Sequence, residues 1–319
     1  MNFSVFHDMD IVGHRDIDFV DIRLETDTAL YVDPERIALS NHPVAHAATR
    51  CIDDFFRTMC RAAQARDEAE LYYLLSYGRE PNETHLGLSA ARSCGRGTSP
   101  EILMPIVRDM IKLGLFENEL VTQLGDLHLW TPNFGYDRLS DLVTNIIRSE
   151  LYDYTIDQYD RWGLSFDDVP RRTAPMWDSF VHEWRMMEFP LLLADNYPTL
   201  LVPKQFVGRG MLSSPGTLLQ KYALRYRQQE HLDECSSYCH RKTDRKGNES
   251  WKPPTKKELR SLEIRGQAEK AYLLQMGYRH PQMVNELHAD HRFASYDGRV
   301  FMSDHELDVL LYSPRYMAV

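Results

Sequence analysis

Cysteine is scarce in this chain, five in 319 residues, an odd number and widely scattered, which argues against a disulfide framework. Long apolar runs are also missing, since no stretch approaches the roughly 18–20 residues that span a bilayer. The opening Met1-Asn-Phe-Ser-Val-Phe-His-Asp lacks the basic-then-apolar order of a signal peptide. There is no fixed-period repeat and no low-complexity tract. The spacings of a P-loop or a dinucleotide fingerprint do not occur either. These absences lead to the expectation of a cytoplasmic protein with reduced thiols and no membrane partner.

What is present fits a globular chain, with 43% hydrophobic and 26% charged residues. The length suffices for one large domain or two ordinary ones, with ample core. A net charge of −10 argues against generic adhesion to nucleic acid, but the charge is unevenly placed. Residues 204–270 hold 15 Lys and Arg against 8 Asp and Glu, a local excess of +7. Such a basic stretch either faces a polyanion or docks on the acidic part of its own chain.

The expected fold class is α+β, mostly helical with a few short strands. Ala29 to Val32 reads as a short buried strand stopped by Asp33-Pro34. Helical spacing runs from Pro43 to about Tyr77, with Phe55, Met59, Ala62 and Ala63 in step. Residues 82–99 read as loop, and Thr98-Ser99-Pro100-Glu101 then opens a helix to Lys112, ended by Gly114. Another helix is expected over about 140–152, and a short strand between the prolines of Tyr197-Pro-Thr-Leu-Leu-Val-Pro-Lys204. Beyond Ser214 the pattern is helical to about His231, loop over 242–255, then helical again over 256–275 and 304–311. Charge and pattern change near 205–215. This predicts an acidic α+β domain over 1–205 carrying the candidate site, and a mostly helical, basic-then-mixed region over 206–319.

Phe134-Gly-Tyr-Asp-Arg-Leu-Ser-Asp-Leu-Val-Thr-Asn-Ile-Ile is the segment that most resembles a site. Asp137 and Asp141 are four apart and share a face if the helix begins early. Paired carboxylates of this kind can bind Mg2+, which prefers one or two carboxylates plus waters and phosphate oxygens. Alternatively, Ser140 or Asp141 caps the helix and Asp137 pairs with Arg138. Just upstream, Glu80-Pro-Asn-Glu83-Thr-His85 offers Glu83 and His85 two apart, pointing the same way on an extended chain. The following loop carries Arg92, Gly95, Arg96 and Gly97 into a helix start, a composition suited to phosphate. Lys204 would stabilise phosphoryl charge, although Val202 stands where an acid would complete a familiar nuclease pattern.

Three further groupings belong to other chemistries. His7, Asp8, Asp10, His14, Asp16, Asp18 and Asp21 resemble a metal cluster by composition, or a solvated alternating strand. His231, Cys235, Cys239 and His240 have helical spacing but no second zinc-binding pair. Arg225-x5-His231 and Arg79-x5-His85 resemble the active pair of the metal-independent HEPN ribonucleases.

The order Asp27-x2-Leu30-Tyr-Val-Asp33-Pro34, Asn82-Glu-Thr-His-Leu-Gly87, Asp137-Arg-Leu-Ser-Asp141 with Thr144-Asn145, and Leu201-Val-Pro-Lys204 resembles a group of uncharacterised bacterial proteins. The resemblance covers about residues 25–205. It implies a setting in phage defence and no established activity.

The resulting expectation is a metal-dependent enzyme acting on a phosphodiester or nucleotide, a nuclease among the possibilities. Asp137, Asp141, Glu83 and Lys204 would be catalytic, with Asp137 and Asp141 holding Mg2+. Arg92, Gly95, Arg96 and Gly97 would bind phosphate, while Lys242, Arg245, Lys246, Lys256 and Lys257 would hold nucleic acid. The alternatives are a non-catalytic sensing or partner-binding module of a defence complex, associating with other proteins of that system, and a HEPN-like ribonuclease.

Overall fold

The computed structural model describes residues 1–87, 99–118, 120–165, 169–243, 245–265 and 268–312. Helices dominate, and the strands form four two-stranded antiparallel pairs, so the fold is α+β and mostly helical. Strand β1 (Tyr31–Val32) ends at Asp33, whose carboxylate caps the helix Pro34–Leu39 by accepting from Glu35 N at 2.9 Å. The Asp-Pro pair thus ends a strand and starts a helix. Pro at the first helical position loses no bond there.

The expected long helix over 43–77 is two helices, Ala45–Gln64 and Glu68–Ser76. Arg66 breaks it with φ 54°, and Asp67 caps the second by accepting from Glu70 N at 2.9 Å. The helix Pro100–Lys112 begins and ends as its sequence signals predict, with Gly114 at φ 52°. The next helix opens earlier than expected, at Tyr136, and runs to Ile146; Arg148–Trp162 follows directly.

The mixed stretch before residue 190 forms a long hairpin of β2 (Arg171–Asp178) and β3 (Glu183–Pro190), with Trp177 opposite Trp184. Both indoles anchor it to the paired helices. Trp177 Nε1 donates to Asp54 Oδ2 at 2.9 Å and Trp184 Nε1 to the Leu74 carbonyl at 3.1 Å. Phe55 meets Trp177 edge-on at 4.9 Å, a contact that contributes about 0.5–1.5 kcal/mol beyond area burial.

The expected strand over 197–204 is realised only at its start, in β4 (Leu193–Ala194) paired with β5 (Tyr197–Pro198). Leu200, Leu201 and Val202 then thread the core fully buried. Their backbone groups are satisfied individually: Leu200 N donates to Glu83 O at 2.7 Å, Leu201 N to Thr155 Oγ1 at 3.0 Å, and Val202 O accepts from Val20 N at 3.0 Å. Strand β6 (Val207–Gly208) returns to pair with β1. One cluster of buried hydrophobic side chains extends from Phe3 to Leu311.

The stretch over 242–255, expected as loop, is largely a hairpin of β7 (His240–Thr243) and β8 (Glu249–Lys252). Helices Glu269–Arg279, Gln282–Ser295 and Asp304–Tyr312 complete the chain. The last one folds back on the amino-terminal segment. His14 N and Nδ1 both meet Asp308 Oδ1, at 3.0 and 2.7 Å, and Tyr312 Oη donates to Asp21 Oδ2 at 2.8 Å. Among the described residues, no helix is long and apolar enough to cross a membrane.

Candidate functional site

Asp137 and Asp141 occupy the first and second turns of Tyr136–Ile146, which begins after Gly135 with no side-chain cap. Neither acid is therefore the cap. Ser140 is not one either, because its Oγ accepts from Val32 N at 2.9 Å and fastens the helix to β1. With a spacing of four on one helix, the two acids lie on the same face.

Two other segments bring their own acids to that face. Asn145 Nδ2 donates to the Arg79 carbonyl at 2.6 Å, which tethers the turn carrying Glu80. Thr28 N donates to His85 O at 2.9 Å and Gly87 N to Thr28 O at 2.8 Å, which fixes Asp27 beside the 85–87 segment. Gly87 has φ +134°, and a Cβ built there would lie 4.0 Å from Asp137 Oδ1. A side chain at this position would be strained by the backbone conformation. Tyr31 and Tyr136 meet edge-on at 4.9 Å against the same group.

The electrostatics follow from four carboxylates that feel one another's charge. Burial, then the charges of Asp137, Glu80 and Asp27, push the Asp141 carboxyl up to about 8, against a smaller opposing effect of Arg138. Asp27 rises to about 6 through burial, Glu80 and Asp137, and Asp137 is raised by burial and Glu80. The Tyr31 phenol is pushed up to about 12 by burial and then chiefly by Asp137. Among the described residues no hydrogen bond or ion pair reaches the carboxylates of Asp27, Asp137 or Asp141. Burial and the neighbouring charges thus favour the protonated form of Asp141.

The other expected site residues go elsewhere. Glu83 is buried between two guanidinium groups, Arg148 Nη1 at 3.2 Å and Arg172 Nη1 at 2.7 Å. Residues Asn82–Thr84 form a tight turn and His85 takes φ 52°, so the extended geometry expected for Glu83 and His85 does not arise. His85 Nε2 instead meets the Pro198 carbonyl at 2.9 Å. Lys204 is a strut, its Nζ donating to His14 O at 2.5 Å and to Asp304 Oδ1 at 2.6 Å. Glu83 and Lys204, expected to be catalytic, are thus each held in ion pairs within the fold. Arg92, Gly95, Arg96 and Gly97 lie outside the described residues. Lys242, Arg245, Lys246 and Lys257 are exposed on and beside the β7–β8 hairpin; Lys256 is half-buried and its Nζ donates to Gln220 O at 2.5 Å.

The amino-terminal acids do not form a metal cluster. Asp21 is fully buried, accepting from Ser4 N at 2.8 Å and Ser4 Oγ at 2.6 Å, Asp18 pairs with Arg161, and Asp16 accepts from Val12 N. His231 is buried, meeting Ser236 Oγ at 2.7 Å and Glu263 Oε1 at 3.0 Å, while Arg225 pairs with Glu286. This leaves neither a zinc arrangement with Cys235 and Cys239 nor a solvent-facing Arg–His pair at that motif. Among the described residues no three His, Cys, Asp or Glu side chains are placed to hold one metal ion together.

Sequence reasoning missed Asp27, Glu80 and Tyr31 as members of the group. All three stand in or beside the quoted motifs, but only the pairing of residue 28 with 85–87 reveals the convergence.

Residues 11–213 match a family model described as a domain of unknown function, DUF8370. The match spans more than half of the chain, which therefore belongs to this family. The family description assigns no activity and makes no link to phage defence. No curated protein matches the chain, and no solved structure does.

Proposed function

We propose that the carboxylate cluster takes a divalent cation, Mg2+ in the cell, and that the protein uses it to process a phosphodiester or a nucleotide. The observation that carries this reading is Asp141: a carboxyl raised to about 8 first by burial and then by three neighbouring acids, with Arg138 as the one opposing charge. A doubly charged ion removes that repulsion. Mg2+ needs only one or two protein carboxylates, its other positions going to water and phosphate oxygens, so the lack of a three-ligand set is compatible with it.

The ion supplies charge neutralisation at the phosphoryl oxygens and lowers the pKa of a bound water. Asp137, the more exposed of the helix pair, is the residue to hold it. Asp141, raised by burial and by its acidic neighbours, is the group to accept and return a proton. Gly87 leaves room for the substrate at the Asp137 edge. The phage-defence setting implied by the sequence resemblance belongs to this proposal and not to the family assignment.

The test is binding and turnover together. Wild type, Asp137→Asn and Asp141→Asn are titrated with Mg2+ and Mn2+ by calorimetry and thermal shift, then assayed on an activated phosphodiester and on nucleotides. Wild type is expected to gain about 2.7 kcal/mol of stability at 100 times the dissociation constant, and both variants to lose the effect and the turnover. Equal metal response in all three proteins, or equal turnover, overturns the proposal.

A further inference from the structure

The β7–β8 hairpin stands apart from the rest of the molecule in composition and in surroundings. All eight strand residues are exposed, so neither face of the ribbon is covered by the body of the protein. Residues 240–257 contain seven Lys and Arg against two acids, in a chain whose net charge is −10. A basic stretch in an acidic chain has two explanations, and one of them fails here. Had it docked on the acidic part of its own chain, its cations would be paired. Among the described residues Lys242, Arg245, Lys252 and Lys257 form no ion pair. The pairs that do form stay within the ribbon or beside its root, Arg241 with Glu249 and His240 with Glu258.

The register sorts the side chains. Arg241 lies opposite Trp251 and Thr243 opposite Glu249, so these four share one face; His240, Lys242, Ser250 and Lys252 share the other. Trp251 is 61% exposed, and Tyr238, just before the ribbon, 49%. An isolated two-stranded ribbon is marginally stable in water. Burying Trp251 against the body would have strengthened it, yet the indole is left in solvent opposite Arg241, itself paired with Glu249. Trp251 offers a flat face on which a base can stack, while Lys242 and Lys252 on the opposite face of the same thin ribbon, with Arg245 and Lys257 beside it, offer charge to the phosphates of a strand that passes around its edge.

We infer that the β7–β8 ribbon binds single-stranded nucleic acid, with Trp251 as the stacking platform and Lys242, Arg245, Lys252 and Lys257 on the phosphates. This deepens the phosphoester reading by naming its substrate class, and rests on that reading only for what happens to the strand after binding. An anionic membrane is the less suited partner. It calls for several inserted apolar side chains, and the ribbon strands carry one large one. A duplex offers no free base face to an indole.

The experiment uses the full chain in EDTA, so that no cation-dependent chemistry enters the readout. Fluorescence anisotropy of labelled 20-nucleotide single strands, DNA and RNA separately, is followed over a salt series, with duplex of the same sequence and anionic vesicles as competitors. The expected slope of log affinity on log salt is about −3, from roughly four phosphate contacts at about −0.7 each. Trp251→Ala is expected to weaken binding about tenfold. Lys242→Glu with Lys252→Glu should weaken it at least as much, and Lys242→Gln with Lys252→Gln should lower the salt slope by about 1.4. These side chains are exposed, and unchanged circular dichroism confirms that each variant is folded. Affinity unchanged in the variants, or tighter binding to duplex or vesicles than to single strands, overturns the inference. Strand binding without turnover in Mg2+ or Mn2+ overturns the carboxylate-cluster reading and leaves this one standing; turnover without strand binding does the reverse.

Discussion

Glu83 and Asp141 sit on either side of Asn145, whose amide donates to the Arg79 carbonyl at 2.6 Å and whose Oδ1 accepts from Arg148 at 2.6 Å. Both acids are largely withdrawn from water, but their surroundings treat them differently. Glu83 lies between Arg148 and Arg172, so its charge is matched within the fold. Asp141 is withdrawn from water without a matching partner among the described residues and feels Asp137, Glu80 and Asp27, so its charge is resisted. A satisfied acid is part of the scaffold, while a resisted one stores an unfavourable interaction that a bound cation can relieve. The contrast separates residues that hold the protein together from residues available for chemistry.

The largest expected effect is on the scaffold side. Glu83→Gln leaves the guanidinium of Arg148, whose side chain is 4% exposed, without its counter-charge. Breaking a buried pair from one side costs about 3–5 kcal/mol. Urea denaturation measures it, and a loss below about 1 kcal/mol would collapse the distinction.

Asp141→Asn should move stability the other way and in a pH-dependent manner. The folded carboxyl titrates at about 8, above its ordinary value near 3.8. The folded state therefore holds a proton that the unfolded state has released, and stability falls as pH rises from about 4 to about 8. Asparagine removes that loss. The variant should be more stable than wild type by on the order of 1–3 kcal/mol at pH 8.5, with the difference disappearing towards pH 4. Parallel melting curves across that range decide it; a constant or reversed difference contradicts the assignment.

The smallest effect concerns Lys204. Lys204→Met removes a partly exposed ion pair and one bond to the His14 carbonyl, at an expected cost of about 1 kcal/mol. Its melting temperature should drop slightly while its Mg2+-induced shift stays that of wild type. A lost metal response in this variant would place Lys204 back in the site.

Asp137 and Asp141 were legible as a pair because helical spacing is local information: four residues apart on an amphipathic helix means one face. The start of the Pro100 helix was legible for the same reason. The ion pairs of Glu83 were not legible because Arg148 and Arg172 lie about 65 and 89 positions downstream, and no spacing rule reports a tertiary ion pair. The β2–β3 hairpin was hidden by Pro175 within β2 and by exposed, non-alternating side chains along β3. The β7–β8 ribbon reads as loop because neither face is apolar, so period-two alternation never appears. Asp27 and Glu80 required the pairing of residue 28 with 85–87, which crosses three helices.

The clasp between the first and last segments governs the order in which this protein is completed. Asp21 needs Tyr312, His14 needs Asp308, and Arg23 donates to the carbonyls of Leu310 and Leu311 at 3.0 Å. During synthesis these amino-terminal groups wait for helix Asp304–Tyr312 to leave the ribosome, nearly 290 residues later. Contacts of such separation form late and slowly. The matched family region, residues 11–213, therefore depends for its own opening segment on chain that lies beyond it.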